Sequence, residues 1–98
     1  MMKNNAVFAD VNGARIAYEQ TGQGYPLLLL HGYPQTRRMW RRVMPALAGR
    51  FSMAAMDLRG YGDSAKPSGE ANYDKRTTAE DALALARHLG WEKFLVVG

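Results

Sequence analysis

The chain has no cysteine among its 98 residues, which excludes a disulfide scaffold, a Cys-ligated zinc site and a thiol nucleophile. Its only histidines are His31 and His88, and two histidines alone rarely make a metal site. Long hydrophobic runs are missing too. The longest purely aliphatic stretch, Leu27 to Leu30, falls far short of the ~20 residues needed to span a bilayer, and Met1 to Asn5 leads into no signal-type apolar region. There is no internal repeat, low-complexity tract or linker. No G-x-x-x-x-G-K-[ST] occurs, and Gly60-Tyr-Gly62 lacks the third glycine and the helix start of a dinucleotide fingerprint, so no phosphate loop is supported. The expectation is a cytoplasmic protein with no membrane contact, no metal and no organic cofactor.

What is present suffices for one small globular domain. Hydrophobic residues make up 47% and charged residues 22%, which excludes a disordered tail. A chain of this size buries between roughly 60% and 70% of its unfolded surface, so the core is small. Lys and Arg number 13 against 9 Asp and Glu, a net charge of +4. Four positive charges, Arg37, Arg38, Arg41 and Arg42, fall within six residues. Their leading explanation is a solvated face neutralised by carboxylates elsewhere in a larger fold. Attraction of an anionic substrate ranks second, and nucleic-acid binding last, because one helix face without interleaved aromatics is a poor groove for bases.

The order of elements starts with a hairpin. Ala6–Val11 meets Arg15–Glu19 across Asn12-Gly13, a pair suited to the positive φ angles of a type I′ turn. Pro26–Leu30 is apolar without alternation and flanked by breakers, which predicts a parallel strand covered on both faces. From Arg37 to Ala48 the helical period places Met39, Trp40, Val43, Met44, Ala46 and Leu47 inward, with the four arginines and Pro45 outward. Thr36 is the expected N-cap, and Pro45 is expected to kink or divide the helix on its wet side. Ser52–Met56 reads as a second buried strand, and Leu58–Tyr73, with three glycines and a proline, as a long loop. Thr77-x-x-Glu80 carries a capping-box signature; Ala79, Ala82, Leu83, Leu85, Ala86 and Leu89 share one side of the following helix, which Gly90 stops. Phe94–Gly98 reads as a third buried strand.

This pattern predicts a β-hairpin followed by a parallel βαβαβ unit, an α/β class fold with helices on both faces of the sheet. The last strand needs cover on both faces, yet no further element follows. The expectation is therefore that residues 1–98 are the N-terminal part of a single larger domain.

His31-Gly-Tyr-Pro34 directly after one buried strand, and Asp57-Leu-Arg-Gly-Tyr-Gly-Asp-Ser-Ala-Lys-Pro67 directly after the next, together resemble the α/β-hydrolase superfamily. Including Pro34 and Trp40, the pairing is most similar to the haloacetate (fluoroacetate) dehalogenases, with soluble-type epoxide hydrolases and haloalkane dehalogenases close behind. The resemblance runs from about Val7 to Gly98 and implies an incomplete three-layer αβα hydrolase core, cut off before the nucleophile elbow. Gly98 matches the first small residue of that elbow, so the nucleophile falls two residues beyond it. In the resembling enzymes it is an aspartate that forms an ester with substrate, later hydrolysed by water that a His–acid pair activates. Those three residues are not among these 98.

One catalytic element does carry over. The resemblance implies that the backbone N–H of Tyr33 is an oxyanion-hole donor, with His31, Gly32 and Pro34 supporting the loop, and that the Tyr33 ring and Trp40 line the substrate pocket. The intact protein is expected to cleave a small haloacid through an aspartyl ester. Epoxide hydrolysis or a serine-esterase reaction is the alternative, and a silent fragment or association module the reading from another class. The implied partners are a small-molecule substrate and the C-terminal remainder of the same fold, not nucleic acid. His31 is expected to serve the loop structurally and His88 to lie on the surface. Ser64 is not expected to be a nucleophile, because Lys66 and Pro67 break any elbow pattern. Asp57 and Arg59 are expected to shape the following loop through hydrogen bonds and an ion pair.

Overall fold

The structure is a computed structural model, and it describes residues 6–32, 35–69 and 73–98. Five strands form one mixed sheet: β1 (Val7–Val11), β2 (Ala14–Thr21), β3 (Tyr25–Leu30), β4 (Phe51–Met56) and β5 (Leu95–Val97), in the order β1-β2-β4-β3-β5. The β1–β2 and β2–β4 pairings are antiparallel, whereas β3 pairs parallel with both β4 and β5. Asn12 (φ 51°) and Gly13 (φ 76°) form the tight turn of the first hairpin, as their sequence predicts.

Two helices cover opposite faces. The short α1 (Val43–Leu47) places Met44 against Leu27, Leu29, Met53 and Ala55, while α2 (Lys75–His88) places Ala82 and Leu85 against Ile16, Leu28, Ala54 and Met56. Successive residues of β3 and β4 thus serve different layers, which is why neither strand alternates in sequence. The parallel connection from β3 to β4 steps one way and that from β4 to β5 steps back past β3. Right-handed crossovers in opposite directions must use opposite faces. The sheet order therefore reverses at β3, and in open α/β sheets ligands bind in the crevice beyond the strand ends at such a point.

Four expectations need correction. The helix over 37–48 is two pieces, a 3₁₀ turn over Arg37–Trp40 and then α1, with Thr36 Oγ1 accepting from Arg38 N–H at the start. The break falls four residues before Pro45, whose missing N–H cannot reach back to Arg41, and Val43 and Ala46 are left exposed. Secondly, α2 begins two residues before Thr77. Asp74 is its N-cap, accepting from Thr77 N–H at 2.7 Å, so Thr77 lies in the first turn. Thirdly, Leu83 is 47% exposed and Ala79 exposed, while Asp81 is fully buried. At 100° per residue Leu83 falls beyond the edge of the arc that Asp81, Ala82, Leu85 and Ala86 bury. Fourthly, the strand expected to be buried over Phe94–Gly98 is β5, whose Leu95, Val96 and Val97 are exposed because it lies at the edge of the sheet, paired only with β3.

Candidate functional site at the exits of β3 and β4

Beyond its last residue, Leu30, strand β3 leads into His31 and Gly32, and Gln35 N–H donates to Gly32 O at 2.7 Å. Tyr33 and Pro34 lie outside the described residues. The residues on either side of them are anchored to consecutive positions of the β4 exit. On the near side, His31 is 5% exposed and its Nε2 accepts from Leu58 N–H at 3.0 Å. An accepting Nε2 leaves the ring proton on Nδ1, which then donates to Gly32 O at 3.1 Å. The Tyr61 ring meets the imidazole edge-on at 5.1 Å. The imidazole is thus a spacer between two loops.

On the far side stands Arg37. The helical period puts it among the solvated arginines, but it is 3% exposed. Its backbone N–H donates to Asp57 Oδ1 at 2.7 Å, and its Nη1 donates to Asp57 Oδ2 and, at 3.0 Å, to Asp63. Glu19 stands 3.6 Å from Nε. Burial pulls the Arg37 pKa down more than any other single influence, but Asp63, Asp57 and Glu19 together carry it above its ordinary value. It stays charged. Asp57, fully buried at the end of β4, also accepts from Asp63 N–H at 2.9 Å. Gly62 (φ 52°) makes this possible, because a Cβ there would collide with the Asp57 carboxylate.

The expected Asp57 and Arg59 ion pairing is therefore distributed differently: Asp57 binds Arg37, and Arg59 turns to Asp81 of α2. Arg59 Nε and Nη2 reach the two Asp81 oxygens at 2.6 and 2.7 Å, and Nη2 also donates to Asn12 O at 3.1 Å. Asn12 Nδ2 closes the triangle on Asp81 Oδ1 at 2.8 Å. The Asp81 contact holds the Arg59 pKa above its ordinary value. This second buried pair ties the hairpin, the loop after β4 and α2 together. Ser64 is buried, its Oγ donating to Asp57 O at 2.6 Å and accepting from Ala17 N–H at 2.9 Å. Both capacities are spent on backbone, so its role is to stitch the loop to β2.

Trp40 packs half-buried against the α1 side of the sheet, and its indole N–H is buried without a partner among the described residues. No group of three or more His, Asp or Glu able to hold a metal occurs among the described residues, and no helix there is long and apolar enough to cross a membrane. The sequence reading missed Arg37, Asp63, Asp81 and Asn12. An acid on an otherwise apolar helical arc was the available signal for Asp81. None existed for Arg37, whose partners are 20 and 26 residues away.

A mixed sheet that reverses at its third strand, with a tight turn at that strand's exit pinned to the exit of the next, defines an α/β-hydrolase core. The family model for the alpha/beta hydrolase fold matches residues 25–98, and the chain belongs to that family. It is 52% identical over 90 residues to the soluble epoxide hydrolase of Corynebacterium sp. (strain C12), aligning 92% of this chain with 31% of that protein. It is 48% identical over 92 residues to the fluoroacetate dehalogenase of Burkholderia sp., aligning 91% of this chain with 30% of that protein. The solved epoxide hydrolase from an endophytic Streptomyces superposes with a TM-score of 0.90 at 39% identity, over 98% of this chain and 30% of that one. The chain spans about a third of the length of the curated relatives it matches.

Proposed function

We propose that these residues form the oxyanion side of a hydrolase that cleaves a small haloacid or epoxide through an aspartyl ester, as the N-terminal part of a single catalytic domain. In this reading Tyr33 donates its backbone N–H to the tetrahedral oxyanion that forms when water attacks the ester carbonyl. Gly32 and Pro34 shape the turn, His31 holds it to Leu58, and the Tyr33 ring and Trp40 border the substrate. The observation that carries the reading is the meeting of two chain segments at one point. Gly98 lies beside Leu30, where a Cβ on it would stand 3.6 Å from Leu30 Cβ, and Leu29 pairs in register with Val97. Residues following Gly98 thus emerge next to His31-Gly32, where an elbow nucleophile and the oxyanion turn would face one another. The similarity to both an epoxide hydrolase and a fluoroacetate dehalogenase supports a shared first step, carboxylate attack on a saturated carbon with a halide or alkoxide leaving. A cytoplasmic, small-molecule enzyme needing no metal or organic cofactor is part of the same proposal.

The test is a single-turnover reaction of the complete gene product in ¹⁸O-water, with fluoroacetate and with styrene oxide in separate arms. An aspartyl ester puts the label into the enzyme carboxylate on the first turnover and into product only later. Label passing directly into the first product, or inactivation by a serine-directed phosphonofluoridate, would overturn the reading.

A further inference from the structure

The excess positive charge of this protein lies on one short stretch. From Gln20 to Met56 the chain carries five arginines, no lysine, no aspartate and no glutamate, while the remainder holds eight basic against nine acidic residues. Arg37 is consumed by the buried clamp with Asp57 and Asp63. Arg38, Arg41, Arg42 and Arg50 are exposed, and among the described residues none of them forms an ion pair. Arg38 and Arg41 are three apart across the 3₁₀ turn, so they share a side of the polypeptide, and Arg42 follows directly before α1. The rise from Arg38 to Arg42 is roughly 6–8 Å, within the Debye length of about 8 Å at physiological salt, so their potentials add. Arg41 is further held in place, its Nη1 donating to Arg38 O at 3.1 Å.

This is a row of guanidiniums that repel one another, with no acid paired to them among the described residues. Each is a planar fork suited to bidentate contact with a carboxylate. Beside the row lie exposed Val43, Pro45 and Ala46. Arginine without Lys or acids is the charge composition of a protein interface, and among the described residues no aromatic platform for single-stranded bases accompanies the row. Trp40, the nearest aromatic, is turned to the sheet.

We propose that the surface of Arg38, Arg41 and Arg42 docks a partner protein through an acidic helical segment. Glutamates spaced three or four residues apart on one helix stand about 5–6 Å apart, a spacing that matches the arginine row, and the helix's apolar flank would lie on Val43 and Ala46. This site is separate from the β3 and β4 exits and stands whether or not the proposed reaction is correct.

The experiment measures binding of the full chain to a labelled 20-residue glutamate-rich helical peptide, with a single-stranded oligonucleotide of equal charge as the second probe, across a salt series. R38E/R41E/R42E should weaken peptide binding about tenfold or more and flatten its salt dependence. K75E/R76E/K93E makes the same change of net charge elsewhere on exposed positions and should leave binding within about twofold. The Gln triple at the same three arginines checks that loss does not require reversed charge, and circular dichroism checks that each variant is folded. Equal loss in both charge-reversal variants, oligonucleotide binding as tight as the peptide's, or no peptide binding at low salt would each overturn the proposal.

Discussion

Arg37 is the most consequential side chain in this structure, because a buried guanidinium is tolerable only while its acids stay in place. Removing one member of such a pair leaves the other charged and dry, a loss of about 3–5 kcal/mol. Arg37→Met is therefore expected to destabilise the fold by that order, read from the urea midpoint. Arg37→Met with Asp57→Asn should recover part of the loss, since residue 57 no longer carries a buried charge, although its single amide oxygen can accept from only one of the two backbone N–H groups that Oδ1 and Oδ2 of Asp57 now share between them. Strict additivity of the two single changes would contradict the clamp as described. The same network explains why Gly62 must be glycine and why Ser64, in spite of its loop position, has its one hydroxyl proton committed to Asp57 O.

Among the elements, α2 owes its start to Asp74. The contact with Thr77, through both its hydroxyl and its backbone N–H, holds the Asp74 pKa below the usual carboxylate range. A depressed folded-state pKa means that the carboxylate contributes stability above its unfolded value, near pH 4, and that this contribution fades as pH falls through the lower folded value. Asp74→Asn keeps a capping oxygen but cannot titrate. Between pH 6 and pH 2.5 its thermal midpoint should consequently fall less than that of the unaltered chain, measured by circular dichroism; parallel curves would assign the acid sensitivity elsewhere. The divided helix over residues 37–47 teaches the complementary lesson. Its apolar spacing suits a continuous helix, but Pro45 and the pull of Asp57 on the first residue favour a tight turn followed by a separate short helix.

At the level of the whole molecule, the sheet ends in β1 on one side and in β5 on the other. Leu95, Val96 and Val97 are 50%, 53% and 42% exposed on β5, an apolar edge strand of the type that invites pairing between chains. A polypeptide of these 98 residues is expected to associate with rising concentration in sedimentation velocity. Leu95→Lys with Val97→Lys should return it towards monomer, because charged side chains on an edge discourage docking. A monodisperse unaltered chain across a hundredfold range of concentration would show that this edge is not adhesive.

The hairpin at Asn12-Gly13, the two buried strands and the stop at Gly90 could be read from sequence because each depends on neighbours a few residues away: a turn's φ angles, a run of apolar side chains, a helix end. The HGYP and DLRGYGDS segments likewise announced the hydrolase core and the structural parts of His31 and Ser64. What only the folded chain decided were the partners of charged groups: Arg37 with Asp57 and Asp63, Arg59 with Asp81 and Asn12, and the N-cap at Asp74 in place of Thr77. A charge chooses whichever opposite charge the packing brings within reach, and here the acids that Arg37 and Arg59 hydrogen-bond lie 20 to 26 residues away. Local periodicity has no access to such distances, so it assigned to solvent the arginine that the tertiary structure buries at the site.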